Sequence, residues 1–462
     1  MAQVCFDAAL LKRYGGRGPR YTSYPAAPQF HPGLTQSGYE RHARHSNTPA
    51  APAPLSLYVH LPFCESLCYY CGCNKVVTRN QTRAAEYLEA ILQEASLHGQ
   101  LYDRQRPVTQ LHLGGGTPTF YDDEQLAALL TGLQEHFSFA DRKIMECSVE
   151  VDPRTVGPER IARLAELGFN RLSLGVQDFD QDVQEAVNRL QSRAATEALV
   201  HAARAHGYRS VSFDLIYGLP RQSRARFERT LDSVIELRPD RVSLYSYAHL
   251  PHLFRAQTLI DIEQLPDGAE KLALLECSIE RLCSAGYEYI GMDHFALADD
   301  ELVKAREEGR LHRNFQGYST RAECDLVSLG ASAIGKVGDC FYQNEKNTNA
   351  YARQVRNGLL PIVKGYELDE DDRLRSAVIQ ALMCQGRLDQ QAIGDAFGID
   401  FNSYFAEELL ELKPLERDGL VSLSPQTIAV TARGQLLLRP IAMIFDRYLR
   451  AAAAPTRYSK VI

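Results

Sequence analysis

No apolar run in this 462-residue chain approaches the roughly 20 residues that span a bilayer, so no transmembrane helix is expected. The first residues, Met1-Ala2-Gln3-Val4-Cys5-Phe6-Asp7, have neither the basic start nor the apolar core of a secretory signal. Positive charge is not in excess either. Against 51 Lys and Arg stand 58 Asp and Glu, a formal net charge of −7, which argues against a general nucleic-acid or anionic-membrane binder. A second Cys-x-x-Cys pair, the usual framework of structural zinc, is also missing. The 11 cysteines are odd in number and mostly scattered, which suits a reducing cytoplasm better than a disulfide framework. A soluble cytoplasmic protein is the expectation, and a composition 45% hydrophobic and 24% charged is ordinary for one. The length allows one large core with a smaller one, or two to three domains.

What the chain does have is Cys64-Glu65-Ser66-Leu67-Cys68-Tyr69-Tyr70-Cys71-Gly72-Cys73. Four cysteines within ten residues suit a soft metal centre, with an iron–sulfur cluster or zinc as the candidates. The loop is too polar to read as core.

Residues 1–54 read as an N-terminal arm closed by the linker Asn47-Thr48-Pro49-Ala50-Ala51-Pro52-Ala53-Pro54. From Leu55 apolar and polar residues alternate to Leu61, which predicts a strand. A helix over 83–98 follows, and the couplet recurs five times. Strands are predicted near 109–113, 146–151, 170–176, 210–217 and 241–247. Helices are predicted near 124–137, 158–167, 181–206, 224–237 and 269–285. Six βα units imply a parallel sheet. The expected fold is α/β, an incomplete (β/α)6 TIM-like barrel over 55–300, with an open doubly wound sheet as the alternative. Residues 301–360 read as a turn-rich segment covering the site. Residues 361–462 read as a mostly helical, winged-helix-like C-terminal domain, three helical patterns leading to a hairpin over 420–430 and a final helix over 433–450. Its acidic entry, Glu367-Leu368-Asp369-Glu370-Asp371-Asp372, does not suit a DNA reader.

The unusual residues share one register. The cysteines follow strand one and Gly114-Gly115-Gly116-Thr117-Pro118-Thr119 follows strand two. Glu150 and Asp152 close strand three, and Gly175-Val176-Gln177-Asp178-Phe179 ends strand four. Asp214 lies in strand five, ahead of Tyr217-Gly218-Leu219-Pro220. Tyr247-Ala248-His249 ends strand six. In parallel α/β folds these C-terminal strand ends form the active-site face. Glycine lets backbone approach a ligand closely, and Glu150, Gln177, Arg189 and Asp214 can meet hydroxyls, a carboxylate and an amino group.

Cys-x3-Cys-x2-Cys after the first strand and Gly-Gly-Gly-Thr-Pro after the second resemble the radical S-adenosylmethionine (SAM) superfamily. The fuller set resembles its oxygen-independent coproporphyrinogen III oxidase family. That set is Arg20-Tyr21-Thr22-Ser23-Tyr24-Pro25, Cys71-Gly72-Cys73-Asn74-Lys75, Gly175-Val176-Gln177-Asp178-Phe179, Gly291-Met292-Asp293-His294-Phe295 and Asn314-Phe315-Gln316-Gly317-Tyr318, and the resemblance runs from about residue 13 to the terminus at 459–462. It implies that Cys64, Cys68 and Cys71 bind a [4Fe–4S] cluster, leaving one iron open, with Cys73 outside the ligand set. It also implies two SAM molecules. Tyr58, Gly115, Glu150 and Ile334 match positions around the first, with Tyr58 also counted as catalytic. Tyr70, Gly116, Thr117, Gln177, Arg189, Asp214 and Ala248 match positions around the second. The implied reaction converts two propionates of coproporphyrinogen III to vinyl groups through a 5′-deoxyadenosyl radical, giving protoporphyrinogen IX. A small redox protein as electron donor and a monomeric state follow by the same resemblance. Arg20 and Arg313 are the guesses for partners of the substrate carboxylates. A radical-SAM-like haem chaperone is the nearest alternative, a porphyrin-directed methyltransferase the next, and a zinc-binding or nucleic-acid module a distant third.

Overall fold

A computed structural model describes residues 4–451 and Tyr458, so the motif at 459–462 lies outside the described residues. By contacts the chain forms two compact units. One consists of His31–Lys271 and Glu323–Glu367. The other consists of Leu272–Ala322 with the described parts of Met1–Phe30 and Leu368–Ile462.

In the first unit the alternating segment forms β1 (Leu55–Leu61), buried on both faces as strands of parallel sheets are. The next five strands are β2 (Pro107–Gly115), β3 (Glu146–Val151), β4 (Arg171–Gln177), β5 (Ser210–Tyr217) and β6 (Arg241–Ser246). Each pairs in parallel with its predecessor, so all six end at the same edge of the sheet. The crossovers carry α1 (Gln81–Gly99), α2 (Asp123–His136), α3 (Pro158–Leu167), α4 (Arg193–Ala205) and α5 (Arg224–Leu237). Local chemistry sets their ends. Asp122 and Gln125 form a capping box on α2, Pro158 opens α3, and Gly168 at φ 107° closes it.

The sheet goes further than the repeat. Residues 301–360, expected to be turn-rich, contain a helix (Glu301–Glu307) and the strands β7 (Asp325–Leu329), β8 (Ile334–Val337) and β9 (Cys340–Asn344), then α6 (Thr348–Arg356). β7 pairs in parallel with the free side of β1, and β8, β9 and β10 (Ile362–Glu367) add on antiparallel. These strands are four to six residues long and glycine turns punctuate them, Gly330 at φ 101° and Gly338 at φ 53°. That spacing is why they read as loop.

Two expected helices are broken. The span 181–206 is a short helix, Gln181–Ala186, then α4, with Asn188 in the left-handed region at φ 54° and Ser192 capping the restart. The last span, 433–450, divides into Gln435–Leu437, Leu438–Met443 and Arg447–Ala451. Asp446 interrupts it by accepting the backbone N–H groups of Tyr448 and Leu449.

The N-terminal residues are not a featureless arm. Ala8–Tyr14 and Gln36–His45 are helices, each started by a side-chain cap, Asp7 and Thr35. The contact division falls inside this segment, so its described residues up to Phe30 belong to one unit and the rest to the other.

In the second unit three helices, Glu370–Gln385, Gln390–Phe397 and Ala406–Arg417, pack with a three-stranded sheet of Arg387–Asp389, Thr427–Val430 and Val421–Leu423. Two of those strands are the expected hairpin, and Arg387–Asp389 is an unforeseen third. Among the described residues no helix is long and apolar enough to cross a membrane.

Candidate active site

The cysteines leave β1 through a closed loop. Phe63–Cys64 pairs with Val76–Val77, and Val76 N–H donates to Pro62 O (2.8 Å) while Thr78 N–H donates to Cys64 O (2.9 Å). The same loop is tied to the break before α4. Tyr69 N–H donates to Val187 O at 3.0 Å, and Asn188 Nδ2 to Leu67 O at 2.8 Å. The helix break therefore has a purpose: it brings Arg189 under the cysteines.

Cations surround the thiols. Arg154 Nη2 and Arg189 Nη1 lie 3.4 and 3.3 Å from Cys68 Sγ, Thr117 Oγ1 lies 3.6 Å from Cys64 Sγ, and Lys75 Nζ donates to Cys71 O at 2.9 Å. The Cys73 hydrogen bond, helped by Lys75, lowers the Cys71 thiol to about 6. Burial pushes Cys64 up to about 11. Asp152 sits between the two guanidiniums, 2.7 Å from Arg154 Nη2 and 3.1 Å from Arg189 Nη1. Burial opposes its charge, but these arginines hold its carboxyl below the ordinary range.

The glycine run is a packing requirement before it is anything else. A Cβ on Gly116 would meet the Pro62 backbone at 2.6 Å, and one on Gly115, at φ 117°, would meet the His60 ring at 2.7 Å. With those side chains absent, the end of β2 lies flush against β1, and Gly115 N–H donates to Glu150 Oε2 at 3.0 Å. His112 Nε2 lies 3.2 Å from Glu150 Oε1. Burial works against the Glu150 charge, yet His112 and Gly115 keep its carboxyl below the usual value. Tyr58 stacks on His112 with centroids 5.7 Å apart, and its hydroxyl lies 3.0 Å from His60 Nδ1. His60 Nε2 reaches Asn74 O at 2.9 Å, and burial lowers its pKa, so the neutral ring donates to Asn74 and accepts from Tyr58.

A bulge re-aims the end of β4. The register with β5 shifts between Gly175 and Gln177, and Gln177 adopts φ 66°, a left-handed conformation costly for a side-chain-bearing residue. Arg189 Nη2 donates to Gly175 O at 2.5 Å. On β5, Asp214 accepts from Ser173 Oγ at 3.2 Å, and burial with the neighbouring Glu150 charge raises it to about 6.

These groups line one cavity of about 320 Å³. Of the expected residues, Cys64, Cys68, Cys71, Tyr70, Gly115, Gly116, Thr117, Glu150, Gln177, Arg189 and Asp214 are in its wall. Tyr58, Ala248 and Ile334 are not. Tyr58 stacks on His112, which lies against Glu150. Gln257 Nε2 joins Ala248 O to Tyr70 O (3.2 and 3.0 Å), and Ile334 O accepts from Ser328, the register partner of Tyr58. Arg154, Lys75 and His112 were not foreseen. For Arg154 a signal existed, an arginine two residues past the acidic end of a strand. Arg20 and Arg313 lie in the other unit. Arg20 pairs with Asp293, and Arg313 is 3% exposed, over the Tyr318 ring at 4.7 Å, with Nη1 unpartnered among the described residues.

The donor set fits an iron–sulfur cluster: thiols on a closed loop, facing a cavity beside Arg154, Arg189 and Lys75, suit a large group with sulfur ligands.

Comparisons with known proteins agree. Residues 58–234 match the family described as the radical SAM superfamily, and 368–437 the HemN C-terminal domain. The chain is 49% identical over 459 residues to an oxygen-independent coproporphyrinogen III oxidase of Pseudomonas aeruginosa, covering 99% of each. It is 46% identical to that of Escherichia coli K12, covering 100% of this chain and 99% of the relative. The solved structure titled coproporphyrinogen III oxidase (HemN) from Escherichia coli, a radical SAM enzyme, superposes with a TM-score of 0.92 at 46% identity, covering 97% of this chain and 100% of that one.

Proposed function

The chain belongs to the oxygen-independent coproporphyrinogen III oxidases of the radical SAM superfamily, and from that premise we propose how its cavity serves the reaction. The reaction is the oxygen-independent oxidative decarboxylation of two propionates of coproporphyrinogen III to vinyl groups, giving protoporphyrinogen IX in haem biosynthesis. The observation that carries the site assignment is the shared wall: the four thiols of one loop, two guanidiniums, a glycine-run backbone and the polar ends of β3, β4 and β5 around one cavity.

Cys64, Cys68 and Cys71 would hold a [4Fe–4S] cluster. Bound there, the cluster and SAM supply one-electron chemistry that creates the radical able to remove a propionate hydrogen. The protein's own work is placement. Gly115 and Glu150 form a donor–acceptor pair suited to the amino and carboxylate end of a first SAM, with Tyr58 behind them through His112 and Ile334 behind Tyr58. Tyr70, Gly116, Thr117, Gln177, Arg189, Asp214 and Ala248 would receive a second: guanidinium for carboxylate, Asp214 for hydroxyls, the tyrosine ring for stacking. Arg313, buried with an unpartnered nitrogen, and Arg20 would meet substrate propionates.

The six sequential parallel strands support reading residues 55–300 as an incomplete TIM-like barrel. The helices with a three-stranded sheet support a winged-helix-like C-terminal domain over 361–462. A cytoplasmic monomer served by a small redox protein completes the reading.

Asp214 supplies its test. Burial raises its folded pKa from 3.8 to about 6, so the stability it lends is full below the ordinary carboxyl value and is lost as pH rises through 6. Asp214→Asn cannot charge. At pH 8 the variant melts several degrees above the unaltered protein, and at pH 4 the two converge. Equilibrium binding to cluster-loaded protein gives two SAM per chain, falling to one in the variant. A lower melting temperature at pH 8, or two SAM retained, would contradict the assignment.

A further inference from the structure

The first unit has a second cleft, of about 200 Å³, between the start of α1 and α6. Arg83, Glu86 and Tyr87 line one wall, and Arg353 and Arg356 the other. Beneath lie the buried rings of Phe63 and Tyr87, edge to face with centroids 5.6 Å apart.

Three arginines gather here: Arg83 against the dipole of its helix, and Arg353 and Arg356 in the last turn of α6, where the dipole favours cations. Arg83 is in the first turn of α1, where the helix dipole favours anions and no acidic residue is present. Among the described residues its side chain makes one hydrogen bond, to Thr348 Oγ1 at 3.4 Å. Arg353 and Arg356 are like charges three apart on α6, an unfavourable pairing. Both are exposed, and neither makes an ion pair among the described residues. Glu86 alone offsets them, so three arginines less one glutamate leave the lining at +2. The whole chain is at −7. A lining of that sign in an acidic chain suits an anionic partner.

The floor identifies the partner. Phe63, which lines the cleft, is the chain neighbour of Cys64, a proposed cluster ligand. Electron tunnelling weakens steeply with distance, and each SAM cleavage needs one electron from outside. We propose that this cleft is the docking surface for a small acidic protein that carries single electrons, an inference resting on the cluster assignment above. The carrier gives up one electron and the cluster gains it; no bond forms or breaks. Acidic side chains around the carrier's redox centre meet Arg83, Arg353 and Arg356, and the negative remainder of the chain steers the carrier away from other faces.

The test uses full-length cluster-loaded protein and reduced flavodoxin, a small acidic one-electron flavoprotein. Stopped-flow bleaching of the iron–sulfur absorbance should be about tenfold or more slower in Arg353→Glu/Arg356→Glu at low salt, with the difference shrinking as salt rises. Reduction by dithionite, which needs no docking surface, should be equal in both. Fluorescence anisotropy with oxidised flavodoxin reads the surface without reference to the cluster and should show about tenfold weaker binding. Equal bleaching by flavodoxin and equal affinity would overturn the proposal. Unaltered protein that takes up no cluster would refute the ligand assignment instead, while the anisotropy would still decide the docking surface.

Discussion

Alanine at Cys64, Cys68 or Cys71 abolishes the iron-dependent visible absorbance of anaerobically reconstituted protein, and alanine at Cys73 does not. All four lie in one loop, but their surroundings differ. Cys68 faces two guanidiniums and Cys64 the Thr117 hydroxyl. The Cys71 thiol is held down to about 6 by Cys73 and Lys75, so it alone of that pair is readily ionised. Cys73 carries the opposite shift, raised by the same contact with Cys71. We propose that it acts as a donor to a ligand rather than as a ligand. Because hydrogen bonds to cluster sulfurs tune potential, Cys73→Ala should keep the absorbance and lower the reduction potential. Iron content and absorbance of the four variants decide the matter. Loss of the cluster in Cys73→Ala would show that the three-ligand assignment is wrong.

Arg189→Met should cost about 3 kcal/mol of stability and remove the second SAM, the largest effect expected of any residue that is not a cluster ligand. Arg189 is 6% exposed and makes three contacts at once, with Cys68 Sγ, Asp152 Oδ2 and Gly175 O. Removing it leaves Asp152, 8% exposed, with Arg154 as its remaining cation. That remaining pairing places the cost at the low end for a broken buried pair. Arg189→Lys should recover part of the stability and little of the SAM binding, since one ammonium cannot span three acceptors in a planar fork. Arg154→Met should be milder, because Arg189 keeps Asp152 paired. Denaturant titration and SAM binding on the three variants separate these outcomes. An Arg189→Met protein as stable as the unaltered one would contradict the picture.

The parts of this molecule legible in sequence are those with a repeating physical signature. Six βα couplets show as changes of hydrophobic period, and the strand ends that line the cavity follow from parallel topology once the couplets are aligned. What stayed hidden depends on contacts between distant segments. β7 is five residues between turns, and it becomes a strand because β1 has an unpaired side. The 181–206 helix keeps its periodicity through Asn188, yet it breaks because Arg189 is drawn to Gly175 and Asp152. His112 falls in the strand predicted near 109–113, and its place beside Glu150 needs the register of β2 with β3. Arg83, Arg353 and Arg356 are about 270 residues apart at their extremes, and only the packing of α1 with α6 makes them neighbours.

Anaerobic turnover tests the central claim most directly. Cluster-loaded protein supplied with SAM, a reductant and coproporphyrinogen III should release two carbon dioxide per substrate and accumulate protoporphyrinogen IX. Haem bound stoichiometrically, with no decarboxylation, would contradict the account and favour a haem-binding role on the same fold.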